Sequence, residues 1–411
     1  MSPTSTLLPR RLGVAVFLAF ALAYFFSTLL RAITATLSPV LTQELGLNAR
    51  DLGLLAGGYF LGFSLTQLPL GRWLDRHGPR RVVLLFLTVA VLGCLVFAQA
   101  SSFAGLLMAR VLAGVGLSAC LMAPLTGYRR WFAADSQLRA NSWMLMTGSL
   151  GMLAATLPVQ WLMPVWGWRA LFWGLAACIA VAMLCIRLWV PPWTAPGSAN
   201  ATPDDGEGYT PVWRSRYFWR MTPIGFFSYG GMVAIQTLWA GPWLTQVAGW
   251  SAMEAATGLF VINLCMLLCF LLWGSITPGL ARRGIHANRL IAWGLPLSFV
   301  LMALLVLAGP ALGPHSAWVL ALFCMSSTFV SLAQPAVGMA FAPHLAGRAL
   351  SAYNLVIFTG IFVVQWGMGL GIDAVRGLGG TVQEAYQVAF GVLGLCSVMS
   401  WLFFMHKRAD N

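Results

Sequence analysis

The chain has 411 residues, of which 59% are hydrophobic and only 9% charged, and its net charge is +13. A soluble domain carries about 25% charged residues, so a water-soluble enzyme is excluded. Apolar runs of about 20 residues recur throughout, each long enough to cross a hydrocarbon core of about 30 Å. The chain therefore reads as an all-α membrane protein.

Twelve such runs are expected, near 12–40, 52–74, 82–99, 103–128, 140–163, 169–190, 218–246, 255–276, 289–309, 315–342, 347–374 and 385–405. Pro158 and Pro223 fall inside runs, where neighbouring helices re-satisfy freed backbone groups. The first run is too long for a signal-peptide core and lacks a clear cleavage site.

The first run holds one cation. In "FFSTLLRAITATLSP", Arg31 has no acidic residue within ten positions on either side. Tyr24, Ser27 or Thr28, Thr34 and Ser38 recur around it with helical spacing, a polar stripe on an apolar helix. Such a stripe faces a bundle interior or a wet cavity, and a central arginine costs about 2.5–3.5 kcal/mol on insertion scales. Arg110 in the fourth run falls at similar depth, because the first and fourth runs point in opposite directions. No acid or histidine lies mid-span: Glu44, Asp51, Glu254, Asp373 and Glu384, and His77, His286, His315, His344 and His406, sit near span ends or in connections. Two cations without a buried counter-ion suit an anion, since guanidinium pairs bidentately with carboxylate or phosphate. The alternative is that each arginine donates to helix carbonyls.

After the second run comes "GRWLDRHGPRR", Gly71 to Arg81. Gly71 would permit close helix approach, Gly78-Pro79 would make a tight turn, and Asp75 is the one acid among basic neighbours that include Arg76 and Arg80. Further along, "GVGLSA" fits a loose dinucleotide fingerprint but has no strand before it, so its small residues read as helix packing. Other polar or aromatic cavity candidates are Gln236, Trp239 and Trp243, with Phe227 and Tyr229 nearby. Asn263, Gln334, Tyr353, Asn354 and Gln365 complete the set; each has interhelical hydrogen bonding as its plain alternative. The eight cysteines, Cys265 and Cys269 among them, read as packing thiols in apolar runs. No nucleophile–His–acid set, zinc motif or P-loop occurs, so no catalytic residue, metal site or cofactor is expected, and the protein is not an enzyme.

Of the 24 basic residues, 19 lie at the termini or in the connections after even-numbered runs. The positive-inside rule places both termini in the cytoplasm, and the positive charge belongs to the lipid bilayer rather than to nucleic acid. "FFS" recurs at Phe25 and Phe226, "GRWLDRHG" at Gly71 is echoed by "GSITPGLARRG" at Gly274, and "RANS" at Arg139 by "RALS" at Arg348. "PLTG" at Pro124 is echoed by "PAVG" at Pro335, and all four offsets fall between 201 and 211 residues. The reading is two homologous six-helix halves, residues 1–190 and 217–411, joined by a polar cytoplasmic linker over 191–216. A count of 23 Arg to one Lys fits a GC-rich bacterium and hence its inner membrane.

"GRWLDRHGPRR" resembles the loop signature of the major facilitator superfamily (MFS), "RVLAGVG" from Arg110 its fourth-helix signature, and "GWRALF" from Gly167 the opening of its sixth helix. "LLRAITATLSPVLTQELGL" resembles the first helix of the anion:cation symporter branch. The resemblance implies a secondary transporter working by alternating access between two six-helix bundles, with helices 1, 4, 7 and 10 lining the cavity. It implies that Gly71, Asp75, Arg76, Gly78 and Arg80 form a conformational latch, and that Arg31 faces an organic anion. In the second half the signature aspartate is replaced by Pro278. The implied function is uptake of a small organic anion with a proton or other cation, by a monomer. The substrate contacts would come from Arg31, Tyr24, Thr28, Arg110, Gln236, Trp239, Gln334, Tyr353 and Asn354. A drug or metabolite exporter is the alternative, although "TGSLGMLAATLP" in the fifth run lacks the Gly-Pro pair of proton-coupled exporters. A non-transporting receptor is a third reading.

Overall fold

In the computed structural model, which describes residues 7–193 and 208–406, the described residues are helical and contain no strand. The first segment comprises α1 (Arg10–Leu45), α2 (Ala49–Leu65), α3 (Gln67–Gln99), α4 (Phe103–Leu117), α5 (Ala119–Trp131), α6 (Ala134–Ala154) and α7 (Leu157–Trp189). The second opens with α8 (Thr210–Arg214) and α9 (Arg216–Pro223). Two π-helical turns, Ile224–Tyr229 and Ile235–Trp239, then flank α10 (Gly230–Ala234), and α11 (Ala240–Gln246) follows. Next come α12 (Ala252–Arg282), α13 (Ala287–Ala308), α14 (Ser316–Ser327), α15 (Ala333–Met339), α16 (Pro343–Gly377) and α17 (Val382–His406).

Eight helical stretches among the described residues are long and apolar enough to cross a membrane. The expected runs that are not separate stretches have physical reasons. The run 52–74 is split between α2 and α3, 140–163 between α6 and α7, and 218–246 is cut by the π turns. The runs 289–309 and 315–342 form one helical stretch through the 3₁₀ turn Gly309–His315, whose Gly309 and Gly313 have positive φ. The polar linker lies largely outside the described residues; at its edges Trp193 packs against Gly78, and the Tyr209 hydroxyl donates to the Leu68 carbonyl at 3.0 Å.

Contacts gather one set of helix ends together. Leu8 N–H bonds the Trp131 carbonyl, Trp131 meets Trp193, and Arg220 Nε donates to the Phe404 carbonyl at 3.0 Å. This is the terminus end. At the far end, Glu44 accepts from Trp168 Nε1 and Arg169, and Tyr386 meets Gln246.

Within the first segment a turn is used twice. Gly78 has φ 77° and ψ 161°, and Gly167 has φ 71° and ψ 164°. That left-handed region suits glycine because no Cβ clashes. Two residues on from each glycine an arginine ties the turn down. Arg80 donates to the Arg187 carbonyl at 2.7 Å near the end of α7, and Arg169 to the Ala100 carbonyl at 3.5 Å, the C-cap of α3. The tight turn expected at Gly78-Pro79 is therefore present, with an unanticipated twin at the other end of the bundle.

Helix α2 sits between the two segments because its glycines let both neighbours close in. A Cβ at Gly58 or Gly62 would run into α4, at Leu107 or the Val111 backbone, and Gly114 of α4 lies against the Tyr59 carbonyl. A Cβ at Gly53 or Gly57 would run into α16, at the Gln365 backbone or Phe362. Small residues at spacing four allow such backbone approach between membrane helices. The packing role read into Gly114 and Gly116 agrees with this, since Gly116 rests on the Ala90 backbone.

Candidate functional site

Arg31 lies midway along α1 and is partly exposed, on a helix otherwise buried around it. Its guanidinium carbon is 5.5 Å from the Phe63 ring centre and 5.9 Å from that of Phe358. The two rings come from α2 and α16 and touch each other, 4.2 Å between centres. Tyr59 forms a side-chain hydrogen bond with it, and Tyr24 and Tyr229 stand close enough to interact electrostatically. Arg31 Nε has no hydrogen-bond partner, and no carboxylate lies within 4 Å of its charge among the described residues. Arenes attract a cation by about 0.5–2 kcal/mol, enough to hold the side chain but less than an ion pair in a dry site.

The acids are engaged elsewhere. Asp51 closes a capping box with Asn48, Glu254 binds Ser251, Glu384 binds Thr381, Glu44 binds Arg169, and Asp373 caps α2. Each of these five satisfies the start of a helix or a far-end arginine, so none of them is left for Arg31.

Arg110 is 1% exposed and placed at the expected depth beside Arg31, but spent differently. Its Nη1 donates to the Leu30 carbonyl at 2.6 Å and its Nε to the Leu55 carbonyl at 3.4 Å. Its guanidinium also lies 5.1 Å from the Tyr59 ring centre. It thereby joins α1, α2 and α4 behind Arg31. Tyr59 was not anticipated: its hydroxyl donates to the Ser27 carbonyl at 3.0 Å, and its ring separates the two arginines. In the sequence, "GGYFLG" marks a close-packed helix without marking the tyrosine. Phe63 and Phe358 were equally silent, being apolar residues in apolar runs.

The other candidates are mostly engaged with one another. Thr28 back-bonds to the Tyr24 and Phe25 carbonyls. Gln236 donates to Asn263 at 3.0 Å, and Gln334 to Asn354. Tyr353 is fully buried and donates to the Met221 carbonyl at 3.1 Å. Trp239, also fully buried, donates to the Gln365 carbonyl at 3.3 Å near Gly53. The fully buried Gln365 donates to Thr237 at 2.8 Å while its Oε1 has no partner among the described residues. Tyr229 ends the first π turn, and such turns cluster at functional sites because they re-aim side chains.

At the far end the two segments meet backbone to backbone. Gly241 approaches the Ala35 carbonyl, Gly369 approaches Ala49, and the Asp373 carboxylate accepts from the Ala49 and Arg50 N–H groups. At the terminus end Asp75 is exposed and forms no ion pair within 4 Å among the described residues; Arg129 is the cation that acts on it. Arg76 is exposed, and Arg80 is held by the α7 carbonyl. Gly71 faces open space, so the close approach expected there does not occur in this conformation.

A sequence model described as Major Facilitator Superfamily matches residues 20–365. The chloramphenicol resistance protein of Streptomyces lividans is 31% identical over 171 residues, 41% of this chain and 43% of that protein. The probable L-galactonate transporter of Escherichia coli is 26% identical over 163 residues, 40% and 36% respectively. The chain thus spans about two-fifths of the length of the curated relatives it matches. Among solved structures, a bacterial homolog of the human lysosomal transporter Spinster, inward-facing and unoccupied, has TM-score 0.76 at 18% identity, covering 98% of both chains. A D-xylose–proton symporter has TM-score 0.76 at 13% identity, covering 95% of this chain and 97% of that one. These two likenesses speak for the fold. The chain belongs to the major facilitator superfamily and has its multi-pass membrane transporter fold.

Proposed function

We propose that this transporter takes up a small organic anion together with a proton or another cation, with Arg31 as the anion's partner. The observation that carries the reading is the Arg31 guanidinium: partly exposed, held by two rings and a hydrogen bond with the Tyr59 hydroxyl, its Nε unpaired and no carboxylate in reach among the described residues. A buried cation without a protein counter-charge favours an anion that brings one. Arg110 acts from behind, keeping α1, α2 and Tyr59 in place.

In this reading the chain crosses a bacterial inner membrane twelve times, with cytoplasmic termini and two six-helix bundles, 1–190 and 217–411, joined over 191–216. The far end is then the outer face. The close contacts of Gly241, Gly53 and Asp373 favour an outward-closed state, and the unpaired Asp75 fits a released inner latch. Alternating access follows from exchanging these two closures.

The test is Arg31→Gln in proteoliposomes. Uptake of anionic substrates is expected to fall tens- to thousands-fold, as when one member of a desolvated charge pair is lost, while the melting temperature in detergent stays within a few degrees. Normal uptake would sink the reading. A second reading, an exporter of drugs or metabolites, is favoured by the aromatic lining and by relatives named for chloramphenicol and multidrug resistance. Drug efflux that survives Arg31→Gln would support it.

A further inference from the structure

Resting on the anion reading of Arg31, we infer that the substrate is a monocarboxylate with an apolar or aromatic body, rather than a dianion or a polyhydroxylated acid. Charge comes first. Of the buried arginines in the described core, Arg110 is committed to the Leu30 and Leu55 carbonyls and Arg220 to the Phe404 carbonyl. Arg110 keeps its charge and an unpaired Nη2, but it is 1% exposed and Arg220 4%, whereas Arg31 is partly exposed. Arg31 is therefore the one of the three that an anion can reach, so one negative charge can be matched directly. A second would be carried into the same low-dielectric space without a partner. Phosphate and dicarboxylates are disfavoured on that count.

The walls decide the body of the molecule. Two rings lie over the guanidinium, Phe63 and Phe358, one from each segment and in contact with each other. A carboxylate on the guanidinium edge therefore leaves the rest of its molecule against aromatic faces. A sugar acid needs several free donors and acceptors to replace the water on its hydroxyls, since each buried hydroxyl left unbonded is costly. The deep amides offer few: Gln236 is paired with Asn263 and Gln334 with Asn354, and Gln365 donates to Thr237, which leaves only its Oε1 free. The Tyr59 hydroxyl is used by the Ser27 carbonyl and by Arg31. The lining thus supplies one charge and much apolar surface, the balance that binding sites use for ligands with a single polar head.

The test is a thermal-shift titration of the purified full-length protein with phenylacetate, benzoate, phenylacetamide, succinate, D-glucuronate and inorganic phosphate, repeated on Arg31→Gln. Phenylacetate and benzoate are expected to stabilise the wild type with half-maximal concentrations at least ten-fold below those of succinate, glucuronate and phosphate. Phenylacetamide is expected to give no shift, and the aromatic acids none in Arg31→Gln. If that variant does not fold, the comparison of acid with amide on the wild type carries the same information. Glucuronate or succinate binding as tightly as phenylacetate would overturn this inference and leave the anion reading standing. Phenylacetamide matching phenylacetate, or no shift with any anion, would overturn both.

Discussion

The carboxylate of Asp373 accepts hydrogen bonds from the backbone N–H groups of Ala49, at 3.2 Å, and Arg50, at 2.8 Å. These are the first two residues of α2, whose N-terminal N–H groups have no partner within the helix. Asn48 and Asp51 cap the same turn from within the segment, so the two N–H groups they leave are satisfied from α16, more than 300 residues away in sequence. A carboxylate at a helix N-terminus contributes about 0.3–1 kcal/mol, up to about 2 when partly buried. Asp373→Asn keeps the shape and removes the charge. It is expected to shift the population toward the far-end-open state by about two- to thirty-fold, taking that range as a free-energy difference. Electron-resonance distances between labels at Gln43 and Leu378, in a cysteine-depleted background, should lengthen; an unchanged distribution would remove Asp373 from the latch.

Asp75 should behave in the opposite sense. It is exposed and without an ion pair among the described residues, so Asp75→Asn removes nothing from the conformation seen. If Asp75 latches the terminus end in the other state, the same substitution enriches the far-end-closed form and lowers transport. Labels at the far end should then report shorter mean distances than in the wild type. Lengthening, as expected for Asp373→Asn, would contradict the assignment.

Two glycines of α2 separate fold from function. Gly62 faces α4 within the first segment, where a Cβ would meet the Val111 carbonyl; Gly53 faces α16, where it would meet the Gln365 carbonyl. Overpacking costs about 1–3 kcal/mol. Gly62→Val is expected to lower the melting temperature and the yield in either conformation. Gly53→Ala is expected to spare the yield while opening the far end, as Asp373→Asn does. Equal loss of folded protein in both would mean that the α2–α16 contact is permanent rather than switched.

Much of this was legible in the sequence because it rests on composition and spacing. Spanning runs, the isolated Arg31 and Gly78-Pro79 are all local features, and the three signature stretches named the family. What stayed hidden is pairwise. Nothing in "TLLRAIT" says that Phe63 and Phe358 cover the guanidinium, since they are 32 and 327 positions away and look like any lipid-facing residue. Gln236, Asn263, Gln334 and Asn354 are polar and deep, which marked them as cavity candidates. Only their mutual bonds show how much of that polarity is already used. The π turns around α10 were illegible for another reason: a residue more per turn leaves no compositional mark, and Gly225, Gly230 and Gly231 are compatible with ordinary helix packing.

The two arginines offer a paired prediction. Arg110 bonds two helix carbonyls and is 1% exposed, so Arg110→Gln removes charge-assisted bonds worth about 1.5–3 kcal/mol each. A marked fall in melting temperature is expected, with loss of transport whatever the charge of the substrate. Arg31→Lys should leave the melting temperature unchanged and weaken anion binding, because the ammonium lacks the planar fork. A stable Arg110→Gln protein that transports neutral but not anionic compounds would move Arg110 onto the cavity wall.

Tyr59→Phe tests the partition between those arginines. The ring stays, so the Arg110 contact at 5.1 Å and the packing against Phe60 and Phe63 are retained. The hydroxyl is lost, which frees the Ser27 carbonyl and removes a dipole beside Arg31. A neutral buried hydrogen bond contributes about 0.5–1.5 kcal/mol, so a drop of a few degrees in melting temperature is expected, with anion affinity changed several-fold rather than abolished. Loss of binding as complete as in Arg31→Gln would make the Tyr59 hydroxyl itself a ligand of the substrate, and the cavity would then reach deeper toward α4 than Arg31 alone implies.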